Sequence, residues 1–106
     1  VSIFAGAAAP EQLRFPIKGP PGIDLRLVSA VTAQVVKPGN VRATWIFTID
    51  PDPSMSKIVV VRVFAADGRD VPSPGTLHLG FRFVFPGNIV RRSKPISEPI
   101  LVWLPG

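Results

Sequence analysis

The chain has 106 residues, 46% of them hydrophobic and 18% charged, with a formal charge of +5; this suffices for one core but not two, and is too apolar for a disordered chain. The lack of cysteine excludes a disulfide framework and a thiolate metal site, and no apolar run approaches the roughly 20 residues that a membrane helix needs. Thirteen prolines and nine glycines, placed mostly between apolar runs, describe many turns separating short extended segments and leave no room for long helices.

The first residues, Val1 to Pro10, are small and apolar without a basic leader, and the first residue is not methionine, which points to a trimmed or processed start. From Ala7 to Leu13, with Pro10 in its first turn, the composition suits one helical turn. Ile23, Leu25, Leu27, Val31, Ala33 and Val35 then alternate with Asp24, Arg26, Ala30, Thr32 and Gln34, which predicts a strand with one buried face. Lys37-Pro38-Gly39-Asn40 supplies a rigid φ, a permissive glycine and an Asn that tolerates the left-handed region, and Val41, Ala43, Trp45, Phe47 and Ile49 resume the alternation. Ile23 to Ile49 therefore reads as a hairpin.

Asp50-Pro51-Asp52-Pro53-Ser54 cannot donate a continuous ladder of N–H groups, so the chain leaves the sheet there. Lys57 to Ala66 is valine-rich and apolar on both faces, as expected of a central strand covered on both sides. After loops at Asp67-Gly68-Arg69-Asp70 and Pro72-Ser73-Pro74-Gly75, the residues Leu77, Leu79, Phe81, Phe83 and Phe85 alternate with Thr76, His78, Gly80 and Arg82 in another half-buried strand. Pro86-Gly87-Asn88 ends it, the basic stretch Arg91-Arg92-Ser93-Lys94 crosses the surface, and Ile100 to Leu104 forms a last apolar strand. Five or six strands with no helical period between them predict an all-β fold of face-to-face antiparallel sheets, a β-sandwich of jelly-roll or immunoglobulin-like type. Residues 1–106 form a single domain, or a piece of a longer jelly roll.

Candidate chemistry is sparse. His78 is the sole histidine, sits on a polar strand face and has no thiolate to share a metal; no nucleophile-elbow motif accompanies it. The expectation is no enzyme activity, no cofactor and no metal. Asp50, Asp52, Asp67 and Asp70 fall in two loops that meet at one end of a sandwich, the arrangement a hard cation needs, but they lack calcium-loop spacing and suit Asx turns instead. Arg26, Arg42, Arg62 and Arg82 fall mid-strand on polar positions, and Arg62 neighbours Arg82 if their strands pair through the intervening loop. Together with Arg91, Arg92 and Lys94 they form a basic surface suited to RNA or another polyanion, although charged residues on an open sheet face are ordinary and no exposed aromatic accompanies them. Trp45 and Trp103 read as core rather than sugar-stacking platforms, since Trp45 shares phase with Phe47 and the chain has no tyrosine. The apolar excess along the Lys57 strand and at the chain's end suggests burial by neighbouring protein.

The run Gly75-Thr76-Leu77-His78-Leu79-Gly80-Phe81-Arg82-Phe83, and the later Pro99-Ile100-Leu101-Val102-Trp103-Leu104-Pro105-Gly106, resemble consecutive strands of small icosahedral virus coat proteins. In the picornavirus-like jelly roll, a Gly-led alternating strand is followed by an apolar strand closing in Pro-Gly; here Leu104 stands where the usual close has a further proline. The resemblance covers about a third of the chain and implies a structural subunit whose basic face meets the genome and whose apolar edges meet neighbouring subunits. It carries over no catalytic residue. The expected role is thus a non-enzymatic assembly domain, a viral capsid subunit or segment located in the virion. The alternative is an immunoglobulin-like adhesion or accessory module of a secreted or surface bacterial protein.

Overall fold

Alternation of buried and exposed residues sets the architecture, and a computed structural model describes it for residues 3–102. Strands hold 54% of the chain against 3% in helix, so the fold is all-β. Eight strands run in chain order among the described residues: β1 (Ile3–Phe4), β2 (Gln12–Lys18), β3 (Ala30–Lys37), β4 (Val41–Ile49), β5 (Lys57–Val63), β6 (Gly75–Phe85), β7 (Ile89–Arg92) and β8 (Ile96–Leu101). They hydrogen-bond in the order β1-β8-β6-β3-β4-β5-β2, with β7 also on β6. The β1–β8 pair is parallel where an all-antiparallel arrangement was expected, and the resulting mixed sheet nearly closes into a barrel. No helix among the described residues is long and apolar enough to cross a membrane.

Two Pro-Gly-Asn turns direct this path. Lys37 faces Val41 and Phe85 faces Ile89 across them, with φ of 85° and 61° at Gly39 and Asn40, and of 82° and 59° at Gly87 and Asn88. Proline presets the first φ, while glycine and asparagine accept the left-handed region that other side chains resist. The β3–β4 hairpin is the one the alternation predicts, but it starts later. Leu25–Leu27 form a 3-10 turn, because the Asp24 carboxylate accepts the Arg26 N–H at 3.0 Å and offers the backbone a local alternative to a ladder. Leu25 and Val28 still reach the core from that turn.

Other boundaries differ from expectation for similar local reasons. The helical turn expected near Ala7–Leu13 is a simple reversal, Glu11 N–H to Ala8 carbonyl at 2.9 Å, after which Leu13 and Phe15 alternate inward along β2. β5 is not covered on both sides. One face turns Ile58 and Val60 into the core, while the other looks outward, where Val59 and Val61 are half-buried and Val63 is exposed. The last strand begins at Ile96 rather than Ile100, and Trp103 to Gly106 lie outside the described residues.

β4 changes partner along its length: Val41 to Phe47 pair with β3, then Thr48 and Ile49 pair with Val61 and Val60 of β5. This corner carries the β2–β5 ribbon over the inner face of β3, β4 and β6. There Phe81 meets Phe15 edge-on at 5.5 Å, Phe47 at 5.1 Å and Phe83 stacked at 6.1 Å. Ala33, fully buried, lies in register between Trp45 and Phe81, so a small residue makes room for two large ones. Each such ring contributes about 1.5–3 kcal/mol by leaving water.

Candidate functional site

The arginines expected to form one stripe are divided among three environments. Arg62 is not beside Arg82, because β5 pairs with β2 and β4 while β6 pairs with β3, β7 and β8. Arg62 is in phase with Ile58 and Val60, at the rim of the core. Its guanidinium lies 5.0 Å from the centre of the Trp45 ring and donates to both carboxylate oxygens of buried Asp70 at 3.1 Å. Its Nε is buried without a hydrogen-bond partner among the described residues. Arg26 lies on the 3-10 turn, paired with Asp24 at 2.8 Å, and not in a strand.

Arg82 and Arg92 share the outer face, directly opposed across the β6–β7 ladder. Arg91 alternates to the other side, next to Phe83, Phe85 and Leu25 in a cleft of about 320 Å3 at one end of the sheet. Lys94 is exposed just beyond β7, and its carbonyl accepts the Ser93 hydroxyl at 3.0 Å. Arg42 lies on the outer face of β4, across β3 from His78. Of the residues expected on one basic surface, Arg42, Arg82 and Arg92 share the outer face, whereas Arg26, Arg62 and Arg91 lie elsewhere.

The loop aspartates do not converge. Asp50 pairs with Arg14, Asp70 with Arg62 and Asp67 with Arg69 at 3.6 Å. Asp50 also accepts the Asp52 N–H at 3.2 Å and Asp67 the Arg69 N–H at 3.1 Å, the Asx turns that their spacing suggests. No group of three or more His, Asp or Glu side chains is placed to hold a metal among the described residues. The Asp52 N–H first, and the Arg14 guanidinium second, hold the Asp50 carboxyl below the usual aspartate range. The Arg26 side-chain hydrogen bond does the same for Asp24, and reciprocally raises Arg26.

One contact was invisible in the sequence. The Nδ1 of His78 lies 2.8 Å from the Ser97 hydroxyl, brought there by the β6–β8 register. A hydroxyl and an imidazole in reach are the first part of a nucleophile–base pair, which also needs a group to orient the ring and donors for a developing oxyanion. Val36 and Ser97 flank His78 in register, and Glu98 is turned toward the opposite face with Ile96 and Ile100. No protein-family model matches the chain, no curated protein matches its sequence and no solved structure matches its fold.

Proposed function

We propose that this chain is a non-enzymatic structural domain that works by face-to-face contact with other protein subunits. The observation that carries the reading is the apolar outer surface of β5 and β4, where Val59 and Val61 are half-buried, Val63 is 50% exposed and Ile46 is 70% exposed. Pro16 stands opposite Val59, while Gln12, Arg14 and Thr48 rim the row opposite Val63 and Val61. An apolar centre with a polar rim is the composition of a protein interface. The edges favour faces over strand addition, since Pro16 removes a donor from terminal strand β2 and β1 is two residues long.

The finer architecture in this proposal is a sandwich whose second layer is the β2–β5 ribbon; Phe15 against Phe81, and Trp45 against Phe64 at 6.4 Å, support it. The proposal takes a coat-type subunit over an immunoglobulin-like accessory module on the resemblance of two runs to coat-protein strands, which pair here as β6 and β8. Gly75 stands opposite Ile100 and Thr76 opposite Pro99.

Sedimentation velocity from micromolar to millimolar protein tests the reading. The expected result is association that rises with concentration, and a monomer of unchanged circular dichroism for Ile46→Lys combined with Val63→Lys. A wild-type chain that stays monomeric over the whole range, or a double variant that associates as well as wild type, overturns it.

A further inference from the structure

Beyond subunit contact, the outer surface continues from Ile46 across Thr32 to Arg82 and Arg92, and there it has a chemistry of its own. β3, β4, β6 and β7 contain Lys37, Arg42, Arg82, Arg91 and Arg92 and not one Asp or Glu. Arg14, Arg26, Arg62 and Arg69 each have a carboxylate partner. Arg82 and Arg92 have none among the described residues and face each other across one rung, a placement in which like charges repel.

The sheet surface dips beside them. A depression of about 420 Å3 is lined by Gln34, Gly80, Phe81, Arg82, Arg92 and Ser93. Its floor is Gly80, in the middle of β6. A Cβ there meets nothing within 4 Å, and the backbone has no positive φ. Neither conformation nor packing demands glycine, in contrast to Gly75, where φ is +144° and a Cβ would come within 2.8 Å of the Pro38 ring. A glycine inside a strand weakens it and marks a bend or a place of close approach; Gly80 lies where β6 passes from β8 to β7, and it leaves the surface open to a ligand there.

The remaining lining completes a donor set. Gln34 faces Gly80 across the ladder, and its amide oxygen accepts the Thr44 hydroxyl at 3.4 Å, which leaves its amide N–H groups unused among the described residues. The Ser93 hydroxyl is already committed, accepting the Phe81 N–H and donating to the Lys94 carbonyl, both at 3.0 Å. Those bonds fasten the chain after Arg92 against β6 and so hold the two guanidiniums on one rim.

We infer that this depression binds a phosphate group, held between the guanidiniums of Arg82 and Arg92 above Gly80, with the Gln34 amide as a third donor. Guanidinium forks match phosphate oxygens bidentately, and the anion's charge relieves the repulsion between the two cations. The group belongs either to a small phosphate or to a phosphodiester backbone. Arg42 stands diagonally beyond Gln34 to receive a second phosphate; the outer face of these strands exposes no Phe, Trp or Tyr for base stacking, and its exposed ring, His78, is held by the Ser97 hydroxyl, so phosphate contacts dominate recognition.

The test uses the intact chain with two probes, inorganic phosphate followed by amide NMR shifts and a fluorescent oligothymidylate followed by anisotropy at two salt concentrations. With either probe, Arg82→Gln and Arg92→Gln weaken binding about tenfold each, and Arg91→Gln, on the other face, changes it less than about twofold. For the oligonucleotide, each of the first two lowers the salt slope by about 0.7. Gly80→Leu, which fills the depression without altering charge, also abolishes binding, and unchanged melting curves show that the variants fold. Binding of both probes, or of the oligonucleotide alone, identifies a nucleic-acid backbone as the source; binding of inorganic phosphate alone identifies a small phosphate. If neither probe binds at low salt, or if Arg82→Gln, Arg92→Gln and Gly80→Leu bind like Arg91→Gln, the inference is overturned.

Discussion

Arg62 donates from a single guanidinium nitrogen to both carboxylate oxygens of Asp70, at 3.1 Å each, while its Cζ lies over the indole of Trp45, 5.0 Å from the ring centre. Asp70 also accepts the Ala65 N–H at 3.0 Å, so one buried carboxylate closes the turn after β5 and neutralises the cation at the rim of the core.

Removing one partner of such a pair leaves a charge away from water. Asp70→Ala is therefore expected to cost about 3 kcal/mol, read as a lower urea midpoint at constant slope. Asp67→Ala, whose ion pair with Arg69 is exposed, is expected to cost less than about 0.5 kcal/mol. Equal costs would remove the structural role given to Asp70.

Phe81 is the ring on which three others converge. Phe81→Ala should lose about 3–5 kcal/mol. Val84→Ala, half-buried on the opposite side of the same strand, should lose less than about 1 kcal/mol. Denaturant curves for the pair test the direction of the alternation along β6.

The turns give a graded series. Gly75→Ala meets both an unfavourable φ and the Pro38 ring, and is expected to cost about 2 kcal/mol. Gly39→Ala meets only the dihedral penalty, about 1 kcal/mol, because nothing lies near its Cβ. Asn40→Gly is expected to be close to neutral, since asparagine already tolerates its φ of 61°. Thermal melts that reverse this order would contradict the turn geometry.

Asp50 supplies a pH signature. Its folded carboxyl titrates below the unfolded value of about 3.9. Its stabilising contribution is therefore complete above that unfolded value, and is lost as pH falls through the lower folded one. Carboxyl NMR titration should find Asp50 depressed. It should move only part of the way back in Arg14→Gln, because the Asp52 N–H remains the larger cause. Full return to the ordinary value would show that the ion pair alone was responsible.

Period-two spacing was enough to place Trp45, Phe47, Phe81 and Phe83 inside, and residue type to find the Lys37–Val41 turn, because those signals act over neighbouring residues; Pro86-Gly87-Asn88 read only as a strand end, whereas it turns the chain into β7. It failed where a local side chain outbid the ladder, as Asp24 does at Arg26, and where coverage depends on distant partners. The valines of β5 are the clearest case: apolar spacing cannot tell a covered face from an uncovered one, and only what packs over each face decides it. The basic face was half legible. Arg82 and Arg92 stood out by composition, whereas the withdrawal of Arg62 to Asp70 and the dip at Gly80 depend on strand order, which no local pattern encodes.

The ladders also differ in how far along the chain they reach, and this orders events in time. Lys37 meets Val41 and Phe85 meets Ile89 across short turns, whereas Gln12 must find Val63 and Ile3 must find Ile100. Hairpins of the first kind form in about 1–10 μs, while distant closures wait on chain entropy. Pulse-labelled amides of β3 and β4 should therefore acquire protection before those of β1 and β2, so that fastening the chain's two ends together concludes refolding.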